Sequence, residues 1–299
     1  MLAQSAPPER KPEAISQLGR PLFAQPAEGD SATLERNLEQ AQQQLRENPD
    51  LPDRIVWVGR RLGYLWRMNE AIEVFADGIR LFPEYAPFYR HRGHRYISLR
   101  RFDEAIADFE KAVRLIEGKT DEVEADGAPN ARNIPLTTLG FNIWYHLGVA
   151  KYLKGDFVGA LAAFQETAEF TRGFDDNLVA VTDWTYLVLR RLGREREAMR
   201  ALDPIKPGME MIENQAYYRR CLMYKGLLRP DELLDVEKAG ELDLVTLGYG
   251  LGAWHLLNGE RDKAVDVFRR VTSGPYWPAF GHIAAEVELV RLLGENDDR

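Results

Sequence analysis

Small and aromatic side chains recur along the chain at a fixed spacing. Ala71 and Ala105 stand 34 residues apart; Phe75 and Phe109 follow them by four, and Gly59 and Gly93 precede them by twelve. A period of this length marks a repeat array. Each unit is a helix–turn–helix that cannot bury its apolar face alone and must stack on its neighbours. The pattern predicts an all-α chain forming one helical superhelix, with its inner groove as the working surface.

The same spacing resembles the tetratricopeptide repeat family. Counting from Pro52, the first unit supplies Val58, Gly59, Leu62, Ala71, Phe75, Gly78 and Pro83. From Ala86, the second supplies Tyr89, Gly93, Tyr96, Ala105, Phe109 and Ala112. Phe141 opens a third with Trp144, Leu147, Gly148, Ala160 and Phe164, and Val245 a sixth with Leu251, Gly252, Ala264 and Phe268. Two units between them are degenerate, one over 179–205 with Tyr186, Ala198 and Leu202, the other over 214–235 with Tyr217, Cys221 and Tyr224. The resemblance implies a right-handed superhelical solenoid of about six repeats. Ser31–Glu47 is expected to add a leading half-repeat, and Ala279–Leu293 a capping helix whose Glu286, Glu288 and Arg291 face solvent. Physically, the small residues let paired helices approach, while the phenylalanine fills the space towards the next unit.

The predicted organisation is a flexible tail over 1–30, the array over 31–293, and a short C-terminal tail over 294–299. Residues 1–30 are rich in Pro, Ala, Gln and Glu without apolar periodicity. Their opening looks like the small-residue stretch left just after a leader is cleaved, which favours an exported protein over a cytoplasmic one. An insertion over 120–140 breaks the period; it carries Asp121, Glu122, Glu124 and Asp126, then a turn at 126–130. It is expected to fold across the groove as a lid or built-in competitor.

A net charge of −8, from 47 acidic and 39 basic residues, argues against binding nucleic acid through its phosphates. No run of 18 uninterrupted apolar residues suggests membrane insertion. One cysteine and five scattered histidines assemble no zinc site, and no cofactor motif is present. Gly248–Gly252 falls inside a predicted helix, so helix packing explains its glycines.

The resemblance places the first helix of each unit on the concave face. The inward positions are then Trp57, Arg60, Tyr64, Arg90, His91, His94, Tyr145, His146, Tyr152, Asp183, Trp184, Arg190, Tyr218, Lys225 and Tyr249. Aromatic and guanidinium groups are what binding surfaces collect, because they combine contact area with bidentate hydrogen bonds and cation–π contacts. The densest stretch, Tyr85 to Tyr96, is basic within an acidic chain and should attract a carboxylate or phosphate. Some members of the family clamp a peptide's terminal carboxylate with Lys, Arg and Asn at positions 5, 9 and 12. Arg90 matches position 5 here, but the asparagine expected at position 9 is Val149 or Arg60. The leading expectation is a non-enzymatic scaffold that binds a peptide segment or protein partner bearing acidic groups. The rival is a small-molecule binder or enzyme, closed by the insertion over Arg90, His91, His146 and Asp183, with His146 and Asp183 as an acid–base pair.

Overall fold

The computed structural model describes residues 11–24, 31–171, 173–236 and 240–297. Among them the fold is fourteen helices preceded by one β-hairpin. The hairpin pairs β1 (Ala14–Ile15) with β2 (Pro21–Leu22) in antiparallel register. After the leading helix α1 (Ser31–Glu47) come pairs α2 (Pro52–Tyr64) with α3 (Met68–Leu81), α4 (Ala86–Ser98) with α5 (Phe102–Ile116), and α6 (Leu139–Lys154) with α7 (Phe157–Ala168). The degenerate units supply α8 (Asp175–Arg191) with α9 (Glu195–Ala201), and α10 (Gln215–Tyr224) with the four-residue α11 (Pro230–Leu233). The last pair is α12 (Glu241–Leu257) with α13 (Arg261–Ser273), and α14 (Phe280–Asp297) ends the array.

Local chemistry explains these elements. Proline opens α2 and α11 at a position whose N–H has no helical partner. The Thr138 side chain caps α6 by accepting from the Phe141 N–H at 3.2 Å, and the Asp156 carboxylate caps α7 by accepting from the Gly159 N–H at 2.8 Å. Every turn between paired helices carries one residue with left-handed backbone: Trp66, Arg100, Gly155, Gly193, Gly226 and Gly259. Six such turns mark six units. Four use glycine, which has no Cβ to clash; Trp66 and Arg100 adopt the conformation without it.

Within a unit, glycine meets phenylalanine as the spacing implies. A Cβ placed at Gly59 would lie 2.4 Å from Phe75, at Gly148 2.6 Å from Phe164, and at Gly252 2.5 Å from Phe268. Each phenylalanine is a fully buried ring that cannot retreat without moving its own helix. Gly148→Leu is therefore expected to lower stability by about 1–3 kcal/mol, read from urea unfolding. An unchanged midpoint would show that the two helices do not touch there.

Packing departs from an open solenoid. The first helices touch in series from α2 through α14, but α12 also touches α8, and α14 touches α6. The inner layer curls back on itself. Accordingly α6 and α8 have almost no exposed face: α6 buries twelve of its sixteen residues and α8 twelve of seventeen, Asp176, Asn177 and Asp183 among them. In α6 the residues are apolar nearly all round, as in a helix buried on every side.

Three expectations change. The C-terminal helix does not present Glu286 and Glu288 to solvent; each is only 1% exposed. Glu286 pairs with Arg100 at 2.8 Å, Glu288 with Arg191 and with Arg291 at 3.3 Å. Burial of these carboxylates follows from α14 lying inside the curl rather than on its end. The helix also extends to Asp297, so the proposed tail at 294–299 is helical as far as the described residues go. Finally, residues 11–24 of the expected flexible tail are docked. The Gln17 N–H donates to Glu286 at 2.7 Å, Arg20 donates to the Thr272 carbonyl at 3.2 Å, and Trp277 Nε1 donates to the Phe23 carbonyl at 2.9 Å. Residues 1–10 and 25–30 of that tail lie outside the described residues.

Candidate functional site

Helix periodicity brings the basic run of α4 to one place. Arg90, His91, His94 and Arg95 face Arg60 and Tyr64 of α2 around a cavity of about 120 Å³, with Phe75 beneath and Glu124 above. Glu124 comes from the insertion. Its segment is held by a bridge between Val123 and Thr138, by the Glu124 N–H donating to the Thr137 carbonyl at 3.0 Å, and by Arg61 donating to the Gly127 carbonyl at 2.9 Å. The insertion thus lies across α2 and α4, in keeping with its acidic composition. The insertion is anchored at its far end by buried Leu136, whereas Val123, beside Glu124, is 65% exposed.

The charges in this cavity do not balance. Arg90 is 7% exposed and pairs with Glu124 at 2.9 Å, yet its Nε has no acceptor, and neither has Glu124 Oε2 a donor. Among the described residues Arg60 and Arg95 have no carboxylate at ion-pairing distance; Arg60 lies over the Trp57 ring at 4.4 Å, and Arg95 donates to Met68 sulfur at 3.8 Å. Burial, opposed too weakly by neighbouring Tyr64, pulls Arg95 down to about 10. His91 and His94 are held well below the usual imidazole range, first by burial and then by Arg90 and Arg95 respectively. They are neutral donors and acceptors here rather than added cations.

Of the fifteen predicted residues, the structure brings Arg60, Tyr64, Arg90, His91 and His94 together in this cavity. Trp57 sits beside it, lining a second polar hollow of about 210 Å³ with Gln44, Arg54 and Arg61. Nearby, His146 is buried, its Nδ1 2.5 Å from the Asn142 carbonyl and its ring 4.7 Å from that of His94; burial lowers it to about 3.

The others are interior rather than open to a guest. Trp184 Nε1 donates to the Tyr145 hydroxyl at 2.8 Å, and the Tyr249 hydroxyl lies 2.8 Å from that of Tyr152; all four rings are buried. Tyr218 donates to the Lys206 carbonyl at 2.8 Å. Lys225 caps carbonyls of Leu202 and Ile205 at 3.0 and 2.7 Å. Arg190 joins α8 to the end of α12 through the Leu257 carbonyl at 2.7 Å. The curl of the inner layer has turned these first helices towards one another and towards α14, so the continuous groove expected between them is filled by the chain itself.

The acid–base pair of His146 with Asp183 is not formed either. Asp183, wholly buried, faces Arg220 at 2.7 Å, while His146 turns to Asn142. Burial raises the Asp183 carboxyl to about 7 against the pull of Arg220. Among the described residues no group of three or more His, Cys, Asp or Glu is arranged to hold a metal ion, and no helix is long and apolar enough to cross a membrane. Sequence reasoning missed Glu286, Glu288 and Phe280 as inward residues. The near-continuous apolar run of α6, which leaves no face for solvent, was the signal that something covers it.

A family model described as tetratricopeptide repeat matches residues 86–118. No curated protein matches the sequence. Among solved structures, the fold is similar to a tetratricopeptide repeat protein from Parabacteroides merdae, at 14% identity, covering 88% of this chain and 94% of that one with a TM-score of 0.50. It is likewise similar to a chain of the APC/C hetero-tetramer Cut9-Hcn1, at 14% identity, covering 88% of this chain and 46% of that one with a TM-score of 0.50. The chain is therefore an array of tetratricopeptide-type helix pairs, its second unit a tetratricopeptide repeat by sequence and the whole sharing that fold.

Proposed function

We propose that the chain is a non-enzymatic interaction scaffold whose binding site is the arginine cavity between α2 and α4, and that it accepts an acidic group of a partner where Glu124 now sits. The observation that carries this reading is the pairing of a buried arginine with a carboxylate from the insertion, in a cavity holding two further guanidinium groups that no carboxylate meets at ion-pairing distance. Buried charges are ordinarily paired. Here one carboxylate lines the cavity beside three arginines, Asp126 acting on Arg60 only from further off, so an incoming anion gains more than Glu124 loses on moving into water.

The inner faces of α6, α8 and α12 are covered by α14 and by each other, which moves the site from the length of the groove to its N-terminal end. Partner contacts there would draw on Trp57 and Tyr64, the rings nearest the cavity that are not fully buried. The small volume favours a second reading for the same site, in which the acidic group belongs to a free small molecule.

Arg90→Ala is expected to weaken binding of an acidic peptide at least about tenfold and to flatten its dependence on salt. Replacing 120–136 by a short Gly-Ser linker should act in the opposite direction, strengthening binding by removing the competitor. Calorimetric titration at two salt concentrations checks both. If both variants bind as the parent does, at the same salt slope, the cavity is not the site.

A further inference from the structure

We propose that the group this cavity takes is a phosphoryl dianion, which displaces the Glu124 carboxylate. The inference rests on the assignment of the cavity as an acid-binding site and names the acid.

Hydrogen-bond polarity comes first. Arg90 Nη1 lies 3.1 Å from His91 Nδ1, and Arg95 Nη2 lies 2.5 Å from His94 Nδ1. A guanidinium has only N–H groups to offer, so both Nδ1 atoms accept and both rings carry their proton on Nε2. His91 Nε2 is 3.8 Å from Glu124 Oε1, on the side where the anion sits. The cavity is thus lined by donors, with Glu124 the single carboxylate on its wall.

Acceptor count and charge come next. Glu124 uses one oxygen on Arg90 and leaves Oε2 unpaired, while Arg90 Nε stays without an acceptor. A side chain tethered through the Thr137 ladder reaches the cavity from one direction and satisfies one donor. A phosphate monoester brings three terminal oxygens and close to two negative charges. It would match the bidentate edge of Arg90 and leave oxygens for His91 and Arg95. With Glu124 gone, three guanidinium charges face a dianion rather than a monoanion.

Size agrees. The cavity of about 120 Å³ has room for several waters and widens once the Glu124 carboxylate leaves, which admits a phosphoryl head. The insertion stays anchored at its far end, where Leu136 is buried and its carbonyl accepts from Asn177 at 2.7 Å, so only the stretch around exposed Val123 has to swing for the Glu124 carboxylate to leave.

The test is calorimetric titration of the full chain with inorganic phosphate and phosphoserine, using acetate and an unphosphorylated glutamate-rich peptide as carboxylate probes. Phosphate is expected to bind at least about tenfold more tightly than acetate, and Glu124→Gln to strengthen phosphate by about tenfold again. Arg90→Lys should lose at least about tenfold for phosphate, because the planar fork is gone while the charge remains, with the melting temperature confirming an intact fold. A phosphoserine peptide tighter than free phosphoserine assigns the group to a protein segment; equal affinity assigns it to a small molecule. Phosphate no tighter than acetate, in both the parent and Glu124→Gln, overturns the phosphoryl assignment while leaving an acid site. If no anion binds either protein, the site itself falls with it.

Discussion

A chain ending at Gly274 is expected to lose cooperative folding altogether, rather than to shed one unit. In an open solenoid each repeat contacts only its neighbours, so removing the last element costs one interface and leaves the others standing. Here α14 buries Ile283, Ala284, Ala285, Val287, Leu289 and Leu292 against the inner layer. Its four larger side chains alone represent about 8 kcal/mol of burial, comparable with the whole stability of an ordinary domain at about 5–15 kcal/mol. Truncation also strands Arg100, whose side chain is 4% exposed beside Glu286, and takes Trp277 from its edge-on contact with Trp66 at 5.7 Å. Trp66 and Arg100 are the two turn positions between paired helices where a residue other than glycine holds the left-handed backbone. Their side chains reach from that turn to the C-terminal segment, which gives the strained backbone a reason to persist. Urea unfolding followed by circular dichroism decides the matter. The parent should give one steep transition, the truncated chain a shallow one or none. A truncated chain that melts sharply near the parent would mean that α14 is only a cap. The milder Glu286→Gln, which leaves Arg100 buried without a counter-charge, should cost about 3–5 kcal/mol on its own.

The sequence reveals helix pairing better than closure, because the two depend on contacts of different range. Gly59 with Phe75 and Gly148 with Phe164 lie sixteen residues apart, within one unit, so a fixed spacing encodes them. The cluster on α4 is legible for the same reason: Arg90, His91, His94 and Arg95 share adjoining faces of one helix by spacing alone. Glu286 and Arg100 are 186 residues apart, and their meeting depends on how tightly six units curve. No local pattern encodes that curvature. Rings on the first helices, such as Tyr152, Trp184 and Tyr249, have the same sequence appearance whether they await a guest or pack on each other. The acidic insertion was readable as a partner of the basic helix because charge complementarity does not need a precise register.

Acidification from pH 6.5 towards pH 4 is the second large effect, and its sign follows from the buried imidazoles. His91, His94, His146 and His282 are all held below the ordinary value near 6.5, His146 at about 3 and His282 at about 4, with burial the first cause in each. Neighbouring arginines add to it: Arg90 beside His91 and His146, Arg95 beside His94, Arg100 beside His282. Below pH 6.5 the unfolded chain takes up protons that the native one refuses, so stability is fully present above that pH and declines as pH falls towards the native values. Asp183 works the other way. With its carboxyl raised to about 7, the native state binds one proton over roughly pH 4–7 that the unfolded state lacks, offsetting one imidazole. Four imidazoles outnumber the one carboxyl, so acidification lowers stability on balance; His146 alone, with its native value at about 3, contributes about 1.4 kcal/mol per pH unit once the unfolded imidazole is charged. Stability measured by urea at steps between pH 7 and pH 5 should decline with a slope that steepens as the unfolded imidazoles charge, and His146→Phe, whose ring can stack on Phe109 as the imidazole does, should reduce that slope by about one proton near pH 5. A flat profile over that range would place the imidazoles in contact with water and remove the basis for treating His91 and His94 as neutral walls of the anion cavity. Phosphate should counter the loss, since a dianion beside those rings draws their proton affinity back up.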